Sequence, residues 1–296
     1  MIRTMLFVFL TAFAPQDRYE NPAMKSLADA ERAFASMSVR QGMRKAFLAH
    51  FADDGIAFQP HPVVYKDAVK DQPAPTNPNA FTLNWKPVFG DVSESGNLGY
   101  TTGPYSFVDN SGKQPPSHGF YFSVWKRDST SRWRVAVDIG IGTPGPFEGP
   151  EDFRQAQPIK KSQSMPGEAK SGKPELEESI GKYLSIAAAD GVVAAYENHL
   201  AEECRLHLEG HHPLLGRQVM TAFFNEKEIT QTGKLLFAKV SESDDLGYAY
   251  GSYANLERGK TIENGYFGHV WKRNELGRWK LVAEILSPVP QELSKP

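Results

Sequence analysis

Apolar residues recur at Leu27, Ala30, Phe34 and Met37, one face of a helix, and Ser26 followed by Asp29 resembles a capping box. The pattern predicts a helix that starts near Ser26. Gly42 supplies a terminator, and Met43, Ala46, Phe47 and Phe51 then mark a second amphipathic helix, which the polar stretch Ala52 to Gly55 ends. From Ile56 onward the chain turns to short runs rich in Val, Phe, Tyr, Trp and Thr, separated by Gly, Asn, Pro and Ser clusters. Such runs read as strands. The clearest is "HGFYFSVWKRDSTSRWRVAVDI", two long strands joined by a polar turn at Asp128 to Ser131. Helices first and antiparallel strands afterwards predict an α+β unit, with helices on one face of a curved sheet.

The same pattern is written twice. "VSESGNLGYTTGPY" (Val92 to Tyr105) has a copy in "VSESDDLGYAYGSY" (Val240 to Tyr253), identical at nine of fourteen positions. "GFYFSVWKRDSTSRWRVAVDI" from Gly119 matches "GYFGHVWKRNELGRWKLVAEI" from Gly265, with V-W-K-R and R-W at the same spacing. Upstream the match keeps register: Gly42 pairs with Gly191, Phe47 with Tyr196, His50 with His199 and Asp53 with Glu202. A repeat of this length means two homologous domains in tandem, placed at 22–143 and 175–290 of the 296 residues. The stretch 144–174 is rich in Pro, Gly, Lys, Glu and Ser and reads as a flexible linker.

Charge narrows the partners. Lys and Arg total 33 against 35 Asp and Glu, so no bulk field attracts nucleic acid or an acidic membrane. The single cysteine, Cys204, allows no intramolecular disulfide and no Cys-based metal site, and with no basic neighbour except Arg205 it reads as a buried structural thiol. In residues 1–21, Arg3 precedes an apolar run from Met5 to Ala14 that ends in an A-x-A pattern, too short to span a bilayer. This favours export to a periplasmic or secreted location; the alternative is an apolar arm on a cytoplasmic protein.

Two N-terminal helices, "FADD" before the first strand, "GNLGYTTGPY" in the middle and "VWKR" with "RWRVAVDI" closing the sheet together resemble the NTF2-like superfamily, more narrowly its DUF4440 or SnoaL-like branch. The resemblance covers both halves. It implies two cone-shaped α+β domains, each with N-terminal helices in a curved antiparallel sheet. The fold hosts isomerases, dehydratases, epoxide hydrolases, cyclases and plain binding modules, so it does not settle function. At the position of the ketosteroid isomerases' carboxylate base stand Gln59 and Leu208, and their protonated acid corresponds to Ser123 and His269; isomerase chemistry of that type is therefore not expected. Relatives with one such domain dimerise through the open sheet face. Phe120, Phe122 and Val124, on the face away from the pocket, suit that interface, which implies an intramolecular pseudo-dimer.

If Ser123 and His269 face the cone interiors, alternation puts Tyr121 and Trp125, and Phe267 and Trp271, on the same faces. These residues, with His207, form candidate ligand pockets for a small, largely apolar molecule; the competing reading is that the aromatics simply fill the cores. Asp138 and Glu284 occupy equivalent positions on the last strands. They are candidate acid–base residues, as is His269, or else members of edge ion pairs with Arg134 and Lys280. The second half concentrates histidines, but their spacing fits no closed ligand set, so neither metal nor cofactor is expected. With Ser123 and Phe58 matched by His269 and His207, the second pocket is expected to be the more polar one. Three functions stand side by side: a small-molecule binder, a lyase, isomerase or hydrolase working by acid–base catalysis, and an interaction module with filled cones.

Overall fold

The computed structural model describes residues 19, 21–157, 172–225 and 227–290. The N-terminal apolar segment and the middle of the linker lie outside these residues. The first unit runs α1 (Pro22–Gln41), α2 (Met43–His50), β1 (Phe51–Phe58), β2 (Pro62–Val64), α3 (Tyr65–Val69), β3 (Phe81–Trp85), β4 (Phe89–Val92), β5 (Leu98–Asp109), β6 (Ser117–Arg127), β7 (Trp133–Gly142) and β8 (Arg154–Gln155). The second has α4 (Gly172–Ala189), α5 (Val192–His199), β9 (Leu200–Leu208), β10 (Leu214–Leu215), α6 (Arg217–Asn225), β11 (Ile229–Val240), β12 (Leu246–Glu257), β13 (Lys260–Arg273) and β14 (Trp279–Pro288). No helix among the described residues is long and apolar enough to cross a membrane.

Each unit is α+β: long helices lie in the hollow of a curved sheet, as the order of elements predicts. One sheet has the order β2-β1-β7-β6-β5-β4-β8 with β3 also paired to β5, and the other β10-β9-β14-β13-β12-β11. The curvature has a local cause written in both copies. Register slips by one residue between Val124 and Trp125 on β6, and between Val270 and Trp271 on β13. A bulge at that point bends the hairpin and increases its twist.

The helix boundaries differ from the sequence expectation. α1 begins at Pro22 rather than near Ser26, because the Asn21 side chain accepts from the Ala23 N–H at 2.8 Å and a proline in the first turn has no N–H to satisfy. Ser26 instead accepts from Trp133 Nε1. Phe51 to Gly55 belong to β1, which lies parallel to β7 with Phe51 opposite Val135, so they start the sheet rather than end a helix. Gly42, at φ 86°, does end α1, and a Cβ there would stand 2.7 Å from the Pro78 carbonyl oxygen.

The expected linker is partly structured. Phe153 is buried, stacked on Tyr19 with ring centroids 5.1 Å apart, and Arg154–Gln155 pair in parallel with β4. Phe153 seats this stretch on the first unit together with the pairing to β4 and the bond that Gln155 Oε1 accepts from the Asn21 N–H.

Three apolar clusters result among the described residues. One fills the hollow of each unit, and a third draws Phe120, Phe122, Val124 and Ile139 from the first sheet together with Tyr248, Val270 and Ile285 from the second. Polar contacts cross at the same place. The Glu94 N–H bonds Asp245, the Glu242 N–H bonds Asn97, and the Ser95 and Ser243 hydroxyls lie 3.0 Å apart. Lys272 of the second unit forms a buried ion pair with Asp91 of the first.

Candidate functional site

Pairing of β6 with β7 sets Ser123 opposite Asp138, and the Ser123 hydroxyl donates to the Asp138 carboxylate at 2.6 Å. Burial pushes the Asp138 carboxyl up to about 6, against the pull of the Ser123 bond. Although held in this way, Asp138 keeps some exposed surface, because it lines a cavity of about 370 Å³ at the open end of the first cone. Phe47, Phe58, Leu83, Trp85, Tyr105, Phe107 and Tyr121 form the apolar and aromatic walls, with Gly140 next along the strand. An enclosed carboxylate that titrates near neutrality can accept or give a proton to a bound molecule.

A second carboxylate lies deeper in the same cone. Glu31, on α1 and without exposed surface, accepts from Trp85 Nε1 at 2.6 Å, Thr101 Oγ1 at 2.5 Å and Trp125 Nε1 at 2.7 Å. Burial raises its carboxyl to about 7; the bonds from Thr101, Trp85 and Trp125 oppose the rise, and the Asp138 charge adds to it. Sequence reasoning missed this residue. Its signal was present: Glu31 lies on the same face as Leu27 and Phe34, inside the apolar stripe, and its counterpart in the second half is Ile180.

The second unit arranges the same positions differently. His269 Nε2 lies 3.0 Å from Glu284 Oε1, and Glu284 also accepts from the Tyr183 and Tyr196 hydroxyls at 3.2 and 2.6 Å. Neither His269 nor Glu284 side chain has any exposed surface. Phe267 and Trp271 are equally enclosed, and Leu286 stands where the first unit has Gly140. Among the described residues the Trp271 indole N–H finds no partner, since Ile180 stands where the first unit has Glu31. These residues fill a core, so the expectation that they line a ligand pocket is corrected; of the two cone interiors, the first holds a cavity that a titratable group, Asp138, reaches.

His207 is the other correction. It does not face the second cone but lies between the sheets, stacked on Phe120 at 5.6 Å, with Nε2 3.3 Å from the Thr102 hydroxyl. Burial, then the nearby Arg205 charge, lowers it to about 3, so it is neutral. Among the described residues, the ion pairs considered for Asp138 with Arg134 and for Glu284 with Lys280 do not form either. Arg134 bonds Asp128 and the Ala49 carbonyl, and Lys280 bonds the Asn198 carbonyl. Cys204 is buried against Met220, and burial pushes its thiol up to about 12. Among the described residues, no group of three or more His, Cys, Asp or Glu side chains is placed to hold a metal ion.

No family model matches the chain. No curated protein matches its sequence. Solved structures do resemble it in part, among them NTF2-like and cystatin-like proteins. An NTF2-like protein with a cystatin-like fold from Novosphingobium aromaticivorans is 15% identical, covers 41% of this chain and 84% of its own, and has a TM-score of 0.34. ActVI-ORFA from Streptomyces coelicolor is 10% identical over 39% of this chain and 95% of its own, with a TM-score of 0.32. A Catenulispora acidiphila protein in complex with S-DNPA is 12% identical over 41% of this chain and 96% of its own, with a TM-score of 0.34.

Proposed function

We propose that the protein binds a small, largely aromatic molecule in the cavity of its first cone, with Asp138 as the group that meets a polar hydrogen of the ligand. The observation that carries this reading is one carboxylate with a raised pKa, held by Ser123 and enclosed by aromatic walls in a space of about 370 Å³. That combination favours ligands with a flat apolar body and one hydroxyl or acidic C–H. The same geometry supports acid–base chemistry at Asp138, with a lyase, isomerase or hydrolase as the enzymatic form of the reading.

The second cone, closed around His269 and Glu284, acts in this view as a structural partner. The reciprocal contacts of Glu94 with Asp245 and of Glu242 with Asn97, about the Ser95–Ser243 contact, support an intramolecular pseudo-dimer, since equivalent residues exchange roles across it.

Calorimetric titration with 2-naphthol tests the site. The expected result is saturable one-to-one binding that is lost in Gly140→Leu, which places in the first cone the side chain that Leu286 contributes to the second. Absence of binding to the unaltered chain, or equal binding to Gly140→Leu, refutes the assignment.

A further inference from the structure

The cavity lies in the first unit, yet one of its walls is supported by the second. Phe58, the last residue of β1, lines the cavity. On its other side it meets the rings of Tyr250 and Tyr266, each with centroids 5.9 Å away and in edge-on geometry. Tyr266 is fixed in turn, for its hydroxyl lies 3.0 Å from His61 Nδ1 in the short connection that follows Phe58. The second unit therefore touches both the wall residue and the turn that carries it.

The mirror arrangement does not serve a cavity. By the repeat, His207 stands where Phe58 does and Phe120 where Tyr266 does, and these two stack against each other. The contact from the first unit thus ends on a residue between the sheets, and the second cone is filled by Leu286. Support is symmetric in contact and one-directional in consequence.

From this we infer that Tyr266 is a positioning residue that sets which ligands the first cone accepts, by holding Phe58 against the cavity. Such a role gives the sealed second copy a part in recognition. The inference rests on the cavity being a binding site, as proposed above. Edge-to-face aromatic contact fixes ring orientation as well as distance, so loss of the Tyr266 ring frees Phe58 to turn outward and widens the pocket.

The experiment compares two neutral phenols of different size, 2-naphthol and 1-hydroxypyrene, on the full chain. Tyr266→Ala is expected to weaken 2-naphthol at least fivefold while shifting the affinity ratio at least fivefold toward 1-hydroxypyrene. Tyr266→Phe keeps the ring and loses only the His61 contact, so it should restore the unaltered ratio to within about twofold. Tyr250→Ala, which removes the other ring, is expected to move the ratio in the same direction and serves if Tyr266→Ala folds poorly. General loosening of the fold would weaken both ligands together and leave the ratio in place, which overturns the inference. Unchanged affinities in both alanine variants overturn it as well, while loss of binding in Gly140→Leu would show that the binding site itself stands. If the unaltered chain binds neither phenol, the site and the inference fall together.

Discussion

Glu31 gives the most direct test of the physical reasoning. Its carboxyl is held at about 7 in the folded chain against an ordinary 4.5, because it has no exposed surface and three hydrogen-bond donors do not fully replace its hydration. A raised pKa means that the folded state binds a proton that the unfolded state has released. The contribution to stability is therefore complete below about pH 4.5 and is lost as pH rises through about 7. The interval corresponds to about 3 kcal/mol, at about 1.4 kcal/mol for each pH unit. Glu31→Gln removes the titration while keeping the shape. It also sets an amide N–H₂ against one of the donors, Trp85 or the Thr101 and Trp125 pair, at a cost of about 1–3 kcal/mol in lost bonding. Urea denaturation of both proteins between pH 5 and pH 8 checks this, because Asp138 and the other acids titrate in both and largely cancel in the difference. The stability advantage of the unaltered chain should be greatest at pH 5 and narrow by about 2–3 kcal/mol toward pH 8. A difference that stays constant or widens with pH would refute the account of Glu31.

The Asp138 carboxyl, raised to about 6, must lose its proton before it can accept a hydrogen bond from a phenol with full strength. Affinity for 2-naphthol should therefore rise as pH increases through about 6, and Asp138→Asn should give a flat profile in the same titration. Lys272 pairs with Asp91 in a buried contact between the units, so Lys272→Met leaves a carboxylate without its cation. The expected cost is about 3 kcal/mol in denaturant unfolding at pH 8. It should shrink toward pH 5, since burial already raises the Asp91 carboxyl and protonation then relieves the charge.

Much of the architecture could be read from the chain because periodicity and repetition survive translation into contacts. The two copies of V-W-K-R lie on β6 and β13 as equivalent strands with an equivalent bulge. The resemblance points to Ser123 and the repeat to Asp138 as the match of Glu284, and the hairpin register brings them together. What escaped had specific causes. On β9, the register against β14 advances five residues, from Leu200 to Arg205, while β14 advances two, from Leu281 to Ala283. The match with Phe58 assigns His207, beyond that irregularity, to a pocket, and it stacks on Phe120 between the sheets instead. Glu31 was hidden because its donors, Trp85, Thr101 and Trp125, come from three strands far along the chain. The helix start was set by Asn21 and Pro22, which stand outside the apolar stripe that marked the helix.

The repeated phrase around "VSES" can be understood in the same terms. Ser95 and Ser243 are the same position in the two copies, and they meet each other; Glu94 and Glu242 each donate a backbone bond to the acceptor at the position of Asn97 or Asp245 in the other copy. A contact of this kind works only if both copies carry compatible residues, because each side must be donor in one bond and acceptor in the other. A change at Asn97 or at Asp245 would break the one bond that its side chain accepts. Inside the cones, residues such as Glu31 and Glu284 bond only within their own unit and carry no such constraint. There the copies diverge, with Glu31 against Ile180, Ser123 against His269 and Gly140 against Leu286. Gly140 against Leu286 sits at the opening in the first unit and at a filled core in the second. On this argument, restoring space in the second cone takes more than Leu286→Gly. Tyr183 and Tyr196 would still hold Glu284, and His269 would still occupy the volume that Ser123 leaves free in the first.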